Sequence, residues 1–243
     1  METVLILGAT SDIGIAIAKK FASKKFNVQL GARNPTQLEP LQSDIKIRYG
    51  VECEAFAFDA LQFSTHALFF ETLNPMPSVT VTVFGVMDEE EDAFDNWQLT
   101  QRMIDTNYTG AVSILNIAAK YYNEQKKGTI IGISSVAGDR GRASKLIYGS
   151  SKAAFNAYLS GLRNKYFKAG VHVMTVKPGF VYTRMTENMQ LPKMLTSTPD
   201  EVAEIIYSGF SKKKNVIYVK WFWRYIMLII KSIPEFQFKK MKL

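Results

Sequence analysis

The first 21 residues constrain the fold of this chain more than any other stretch. Residues 3–7 are a short apolar run rich in β-branched side chains, and residues 8–14 form a glycine turn that leads into a helical pattern. In that pattern Ile13, Ile17 and Phe21 recur every four residues, as on one face of a helix. A strand, a glycine turn and a helix in this order direct free backbone N–H groups toward a phosphate. The sequence therefore predicts a phosphate-binding turn after the first strand of an α/β fold.

Segments with strand and helix patterns alternate along the rest of the chain. Further strands are predicted at residues 28–30, 51–58, 80–84, 129–133, 171–176 and 216–219. Helices are predicted over about 92–124 with a break near 105–107, over 147–168, and after Thr198, which starts a capping box. This alternation predicts a parallel sheet with helices on both faces. We expect a single Rossmann-like, doubly wound α/β domain over residues 1–219, followed by an amphipathic tail at 220–243.

A tyrosine and a lysine lie one turn apart in the helix predicted at 147–168. Tyr148 and Lys152 are four residues apart, so a helix places both on one face. An ammonium near a phenol favours the phenolate and lowers the pKa of the phenol from about 10, which would make Tyr148 a general acid or base. The same spacing also fits an ordinary surface pair. Its meaning therefore depends on Ser135, thirteen residues earlier, and on Asn107.

Six segments together resemble the short-chain dehydrogenase/reductase family over residues 3–220. In chain order they are Gly8-Ala9-Thr10-Ser11-Asp12-Ile13-Gly14, Asp59-Ala60, Asn107, Ser134-Ser135-Val136-Ala137-Gly138, Tyr148-Gly149-Ser150-Ser151-Lys152 and Lys177-Pro178-Gly179-Phe180-Val181-Tyr182-Thr183. The resemblance implies an oxidoreductase that binds a nicotinamide dinucleotide and reduces a ketone, and it implies assembly into a homodimer or homotetramer.

The resemblance also implies a role for each matching residue. Tyr148 would give the proton, Lys152 would keep the pKa of Tyr148 low and bond the nicotinamide ribose, and Ser135 would donate a hydrogen bond to the carbonyl oxygen. Asn107 would hold a water that relays protons to Lys152. Asp59 would bond the adenine amine. The residues expected to hold the cofactor are Gly8, Thr10, Ser11, Asp12, Ile13, Gly14, Arg33, Asp59, Ala60, Gly85, Tyr148, Lys152, Pro178, Gly179, Val181 and Thr183, the last at the nicotinamide carboxamide. No metal is expected.

The end of the second predicted strand indicates which cofactor is used. Enzymes that use NAD place an acidic residue there to hold the ribose 2′-hydroxyl. Residues 30–34 contain no acidic residue and one arginine, Arg33. Because a guanidinium bonds a 2′-phosphate that a carboxylate would repel, the sequence predicts NADPH rather than NADH. The alternative is an arginine that only faces solvent.

Several departures from the usual family pattern favour one branch. Ala16 replaces the third glycine of the turn, and Val83-Phe84-Gly85 replaces the family's Asn-Ala-Gly. Together with Gly138-Asp139-Arg140-Gly141-Arg142 and a tail from Arg224 to Lys240, these features resemble the decaprenylphosphoryl-2-keto-ribose reductases, which reduce a keto-sugar carried on a polyprenyl phosphate. That branch implies a lipid-linked ketone as substrate.

The positive charge of the chain is concentrated in its C-terminal segment. The formal net charge is +8, and residues 212–243 hold nine of the 30 basic residues and one of the 22 acidic residues, so the remainder is balanced. Residues 221–230 are almost wholly apolar, while Lys220, Arg224 and Lys231 lie along one helical stripe. This pattern is typical of an amphipathic helix at an anionic membrane surface. The alternative is a helix packed in a subunit interface. A nucleic-acid partner is not expected, because it would favour aromatic side chains facing a groove.

The remaining features bear on the compartment and on competing functions. Cys53 is the single cysteine, which fits a reducing compartment. The N-terminus lacks the pattern of a signal peptide, and no apolar run reaches about 18 residues. We expect a cytoplasmic protein with peripheral contact at the inner face of the membrane. Two alternatives stay open: a soluble reductase of a small ketone or 3-oxoacyl thioester with the tail used for oligomerisation, and a non-catalytic nucleotide-binding partner subunit.

Overall fold

The structure, a computed structural model, describes residues 1–88, 90–187 and 189–241, and only the backbone of residues 90 and 91. Its strands are β1 (Thr3–Leu7), β2 (Asn27–Ala32), β3 (Cys53–Ala57), β4 (Val79–Thr82), β5 (Gly128–Ile133), β6 (Val171–Lys177), β7 (Phe180–Val181), β8 (Thr196–Ser197) and β9 (Val216–Tyr218). Its α-helices are α1 (Asp12–Ser23), α2 (Glu39–Tyr49), α3 (His66–Glu71), α4 (Glu90–Asp95), α5 (Trp97–Ile104), α6 (Gly110–Gln125), α7 (Leu146–Tyr166), α8 (Pro199–Ser211), α9 (Phe222–Ser232) and α10 (Glu235–Phe238).

Within the described residues, seven strands form one parallel sheet in the order β3-β2-β1-β4-β5-β6-β9. The strand order reverses direction between β1 and β4, and ligands of such sheets bind at the carboxyl ends of the strands beside this point. The predicted single, doubly wound α/β fold is confirmed. The short strands β7 and β8 pair with each other beside this edge.

Helices cover both faces of the sheet, as the alternation of strands and helices predicts. Successive residues of β1 point to opposite faces: Val4 and Ile6 join a core under α1 and α8, whereas Leu5 and Leu7 join a second core under α3, α6 and α7. All four side chains are fully buried. Each such burial contributes about 1.5–3 kcal/mol, which is why β1 reads as a continuous apolar run.

The helix predicted over 92–124 is divided into three helices. Asn96 ends the first and caps α5, because its side-chain oxygen accepts hydrogen bonds from the backbone N–H groups of Gln98 and Leu99. A π-helical turn at Asp105–Thr109 then joins α5 to α6, at the break that the sequence predicts. The capping box at Thr198 also forms, and it starts α8.

The C-terminal helix α9 packs on the body of the protein through one of its two apolar faces. Trp223 and Met227 are buried against Val136, with Phe180 and Leu195 packed around them. The loop after β5 holds the end of α9, because the Arg140 guanidinium donates to the carbonyl oxygens of residues 230 and 233 at 2.5 and 2.6 Å. No helix in the described part of the chain combines the length and apolar character that a membrane crossing requires.

Candidate active site

Two adjoining cavities open at the carboxyl edge of the sheet. The first, which we call the glycine cleft, follows β1, β2 and β3 and has a volume of about 440 Å³. The second, which we call the tyrosine pocket, follows β4, β5 and β6 and has a volume of about 160 Å³. Ile13, Gly85 and Thr183 line both cavities, so the two are continuous. A ligand in this groove would lie across the point where the strand order reverses.

The glycine turn shapes one wall of the glycine cleft. Gly8 has a φ of +94°, and a Cβ at this position would lie 2.6 Å from the backbone nitrogen of Phe84. Only glycine therefore fits where β1 ends. The Ser11 side chain donates to the Gly8 carbonyl at 2.8 Å and accepts from the Gly14 N–H at 3.1 Å, which fixes the turn and caps α1. The N-terminus of α1 consequently faces the cleft, together with the side chains and backbone of Thr10, Ser11, Asp12 and Ile13.

An arginine that the sequence did not assign to the site lies over this turn. The backbone N–H of Arg184 donates to the Asp12 carboxylate at 2.8 Å, and its guanidinium Nε lies 3.4 Å from the same carboxylate. The guanidinium also donates to the Thr10 carbonyl oxygen. Arg184 thereby offsets the negative charge of Asp12 at the helix N-terminus, where a phosphate would otherwise meet a carboxylate.

The far end of the glycine cleft is formed after β2 and β3. Arg33 has an exposed side chain there, and Asp59 and Ala60 also line the cleft. The Asp59 carboxylate accepts a hydrogen bond from the Leu61 N–H at 3.0 Å, which orders the start of this loop. The structure thus brings the predicted residues of all three strand ends into one cleft.

The tyrosine pocket brings Ser135, Tyr148 and Lys152 together, although they come from a loop and two turns of α7. The Ser135 hydroxyl accepts a hydrogen bond from the Ala137 N–H at 3.1 Å. Burial raises the pKa of the Tyr148 phenol, and a hydrogen bond with the Ser135 side chain lowers it by a smaller amount. The net pKa of Tyr148 is therefore above its ordinary value, opposite to the direction that the Tyr148–Lys152 spacing predicts.

The position of Lys152 explains this difference. Its Nζ donates to the Ile133 carbonyl at 3.2 Å and lies 5.8 Å from the centre of the Tyr148 ring. Burial lowers the pKa of the Lys152 ammonium to about 8. Because the Lys152 ammonium donates to a backbone carbonyl and not to the phenol, the burial of Tyr148 determines the direction of its pKa.

Asn107 lies in the π-helical turn and is 1% exposed. Its side-chain oxygen accepts from the Val86 N–H at 2.8 Å, and its nitrogen donates to the Val86 carbonyl at 2.8 Å and to the Ser151 hydroxyl at 3.2 Å. These bonds tie the loop after β4 to α7. A Cβ on Gly85 would lie 3.0 Å from the Asn107 oxygen and 3.4 Å from Lys152 Nζ, so this glycine keeps open the space between the two polar groups.

The wall opposite Tyr148 is made by the loop after β6 and by α9. Pro178, Gly179, Val181 and Thr183 line it. A Cβ on Gly179 would lie 2.1 Å from the indole ring of Trp223, so glycine is required for α9 to pack here.

Most of the predicted site residues line one of the two cavities. Gly14 and Asn107 are not among the lining residues that the structure describes, and their contacts are with the protein itself. Arg142, Lys145, Arg184 and Trp223 line the site without having been predicted. For Arg142 and Lys145 the available signal was only their position, six and three residues before Tyr148. Trp223 gave no such signal, since it looks the same as its neighbours in an apolar run.

Comparisons with known proteins agree with this geometry. Residues 2–193 match the short chain dehydrogenase family. An oxidoreductase of Streptomyces coelicolor is 31% identical over 243 residues, a match that covers 99% of this chain and 96% of the relative. An oxidoreductase of Mycobacterium tuberculosis is 29% identical over 242 residues, a match that covers 98% of this chain and 96% of the relative. A short-chain dehydrogenase from Sphingobium yanoikuyae, solved in complex with NADPH, is 22% identical with a TM-score of 0.84 and 97% coverage of both chains. The chain belongs to the short-chain dehydrogenase family, which confirms the resemblance at that level.

Proposed function

We propose that this protein is an NADPH-dependent ketone reductase whose substrate is a lipid-linked ketone of the polyprenylphosphoryl keto-sugar type. The reductase assignment rests above all on the convergence of Ser135, Tyr148 and Lys152 on one pocket that opens into the glycine cleft. A hydroxyl and a phenol beside a carbonyl can polarise it and protonate it, as hydride transfer to a ketone requires. The family membership supports the same reaction class.

The glycine cleft fits a dinucleotide phosphate cofactor. The N-terminus of α1 faces this cleft, and the backbone N–H groups at a helix N-terminus attract anions such as a pyrophosphate. Arg33 would bind the 2′-phosphate, since residues 30–34 contain no acid that would repel it. Asp59 would bond the adenine amine and Thr183 the nicotinamide carboxamide. When bound, the nicotinamide supplies the hydride. The NADPH in the Sphingobium relative supports this cofactor.

The protein's own groups would handle the proton and the developing charge. Because burial raises its pKa, Tyr148 is protonated at neutral pH, which suits a proton donor to an alkoxide. The Ser135 hydroxyl would donate to the same oxygen. Lys152, with a pKa of about 8, would stabilise the tyrosinate after proton transfer and pass a proton back to it. Asn107 would hold the water that links Lys152 to solvent.

The lining of the tyrosine pocket supports a substrate with a large apolar part. Apart from its few polar groups, the described lining is mainly apolar, and it includes Met87, Val136, Phe180, Met185, Met189 and Trp223. Such a wall favours a hydrocarbon group next to the ketone. The resemblance to the polyprenylphosphoryl keto-sugar reductases supports a lipid as that group.

The outer face of α9 supports contact with an anionic membrane. Trp221, Tyr225, Leu228 and Ile229 recur at helical spacing and are 74%, 56%, 60% and 66% exposed. Arg224, Lys231, Lys239 and Lys240 are exposed on and just after the same helix. Lys220 of the predicted stripe is different, since its ammonium donates to the Met194 and Thr196 carbonyls at 3.3 and 2.6 Å. An exposed apolar face flanked by cations matches an interfacial helix.

The reductase assignment is tested by following NADPH oxidation with a polyprenylphosphoryl 2-keto-pentose and, as a control, a 3-oxoacyl thioester. The Tyr148→Phe variant is expected to lose about a hundredfold or more in kcat, because the phenol supplies the proton. Tyr182→Phe, which changes a half-exposed tyrosine outside both cavities, should retain the wild-type rate. If Tyr148→Phe kept the full rate or the full biological effect, the non-catalytic alternative would be favoured. Turnover of the thioester alone would favour the soluble reductase.

Membrane contact is tested by flotation with vesicles of phosphatidylglycerol and phosphatidylcholine. The wild type is expected to float with anionic vesicles, and the double variant Leu228→Ser with Ile229→Ser to float much less. The control is Phe167→Ser, which changes a side chain that is 78% exposed just before β6, at the opposite edge of the sheet. Unchanged flotation of the double variant would refute the membrane proposal. A change in oligomer mass instead would assign this face to a subunit interface.

A further inference from the structure

Two cations, Arg142 and Lys145, line the tyrosine pocket and are not among the described residues that line the glycine cleft. Arg142 precedes a single turn of 3-10 helix at Ala143–Lys145, and Lys145 ends that turn directly before α7. Tyr148 lies three residues after Lys145, in the first turn of α7. All three side chains line the pocket that holds Ser135. A substrate whose ketone meets Ser135 and Tyr148 would therefore extend past a guanidinium and an ammonium.

The guanidinium of Arg142 is poorly compensated within the protein. Its Nε is buried and has no hydrogen-bond partner among the described residues. Burial lowers the pKa of Arg142, which means that the surroundings disfavour its charge. No carboxylate occurs among the described residues that line the pocket, whereas Lys152 adds a third cation. A partly buried cation that lacks a carboxylate partner carries an energetic cost, and that cost falls when an anion binds.

Two charged residues of the same loop, Arg140 and Asp139, differ from Arg142 because their side chains are paired within the protein. Arg140 donates to two carbonyl groups at the end of α9, pairs with Glu235 at 3.0 Å and lies 3.6 Å from the centre of the Phe238 ring. Asp139 pairs with Lys177 and accepts from the Tyr218 hydroxyl at 2.6 Å. These two residues anchor the loop to the rest of the protein. Within the described residues the Arg142 side chain has no such ion pair, and it lines the tyrosine pocket.

We propose that Arg142 and Lys145 form an anion subsite that binds a phosphate or carboxylate group of the ketone substrate. This inference rests on the proposed reductase function and specifies its substrate class: a ketone with an apolar body and an acidic group. Arg142 would bind the acidic group through two parallel hydrogen bonds, the geometry that guanidinium groups favour with carboxylates and phosphates. Lys145 would add a single charged donor at the mouth of the pocket.

The kinetic test compares three probes of equal chain length: 2-decanone, 9-oxodecanoate and 9-oxodecyl phosphate. For Arg142→Met, kcat/KM with the two anionic ketones is expected to fall roughly ten- to a hundredfold, while that with 2-decanone changes less than twofold. Arg142→Lys should restore part of the loss, because it restores the charge but not the paired donors. Lys193→Met removes an exposed cation outside the pocket and should leave all three values unchanged.

A binding test separates the subsite from the reductase proposal. Decanoate, decyl phosphate and decanol are titrated into the protein with NADP⁺ present, and their affinities are measured by calorimetry. The anions should bind at least tenfold more tightly than decanol, and Arg142→Met should remove this preference; the anion with the larger loss identifies the acidic group. Equal affinities for all three, or a preference that Arg142→Met does not change, would overturn the subsite. If no ketone were reduced but the anion preference were present, only the reductase proposal would fail.

Discussion

Two tryptophans provide a direct test of how the C-terminal helix is oriented. Trp223 lies in α9, and Trp221 is the residue directly before this helix. Trp223 is 5% exposed, packs edge-on against Phe180 with ring centres 5.7 Å apart, and donates from its indole nitrogen to the Leu195 carbonyl at 3.2 Å. Trp221 is 74% exposed, and its ring contacts only Phe222 and Tyr225 among the described aromatic side chains. The perturbation is Trp223→Ala, and its matched control is Trp221→Ala.

The two substitutions should differ strongly in their effect on stability. Replacing a buried tryptophan by alanine removes its transfer free energy and leaves a cavity, which costs about 3–5 kcal/mol of the free energy of unfolding. In a chain of this length each kcal/mol shifts the melting temperature by roughly 2–4 °C, so Trp223→Ala should lower Tm by roughly 6–20 °C. Trp221→Ala should change the free energy of unfolding by about 0.5 kcal/mol or less, because solvent already surrounds its ring.

Differential scanning calorimetry of the two variants and the wild type measures this difference. Trp223→Ala should also enlarge the tyrosine pocket, and should therefore raise KM for an apolar ketone more than it lowers kcat. The reasoning would be refuted if both variants lost the same stability, or if Trp221→Ala lost more. Either result would mean that α9 presents its other face to the protein.

Three further outcomes follow from the site and its supports. Lys152→Met should lose about a hundredfold or more in kcat and yet be about 3 kcal/mol more stable at pH 7, because the lysine has a pKa of about 8 in the folded protein against about 10.5 in the unfolded chain. Chemical denaturation should therefore show that the free energy of unfolding of the wild type rises between these two pH values, and that the advantage of the variant disappears above them. Arg33→Ala should lower kcat/KM with NADPH about tenfold and leave NADH kinetics unchanged, and an equal loss with both cofactors would contradict the assigned role. Asp139→Asn leaves the Lys177 ammonium unpaired and weakens the hydrogen bond from Tyr218, so thermal unfolding should show a loss of about 3 kcal/mol in the free energy of unfolding. An unchanged stability would contradict the role of Asp139 in anchoring the loop.

The sequence predicted the fold because its signals are local. Alternating apolar runs and helical periodicities define the order of the elements, and parallel pairing then brings every strand's carboxyl end to one edge. Several site residues lie within two residues of the end of a strand, so their convergence could be expected from sequence. They are Gly8, Arg33, Asp59, Ser135 and the residues after β6. Tyr148 and Lys152 required one more step, since α7 must cross over that edge.

Other properties of the site depend on neighbours that are distant in the chain. The pKa of Tyr148 is raised rather than lowered, because the surrounding fold buries the phenol and directs the Lys152 ammonium to the Ile133 carbonyl. The charge of Asp12 is compensated by Arg184, which is 172 residues away. Spacing along one helix carries no information about either effect.

The C-terminal segment shows most clearly which properties follow from the sequence and which depend on the tertiary structure. From sequence alone, residues 221–230 are an apolar run with cations at helical spacing, and Trp221 and Trp223 are equivalent. In the structure Trp223 lines the tyrosine pocket and Trp221 faces solvent. The sequence by itself determined the order of strands and helices and the residues at the strand ends, since these follow from periodicity and parallel pairing. Only the tertiary structure decided which face of α9 is buried, because burial depends on the complementary surface of Val136, Gly179 and Phe180.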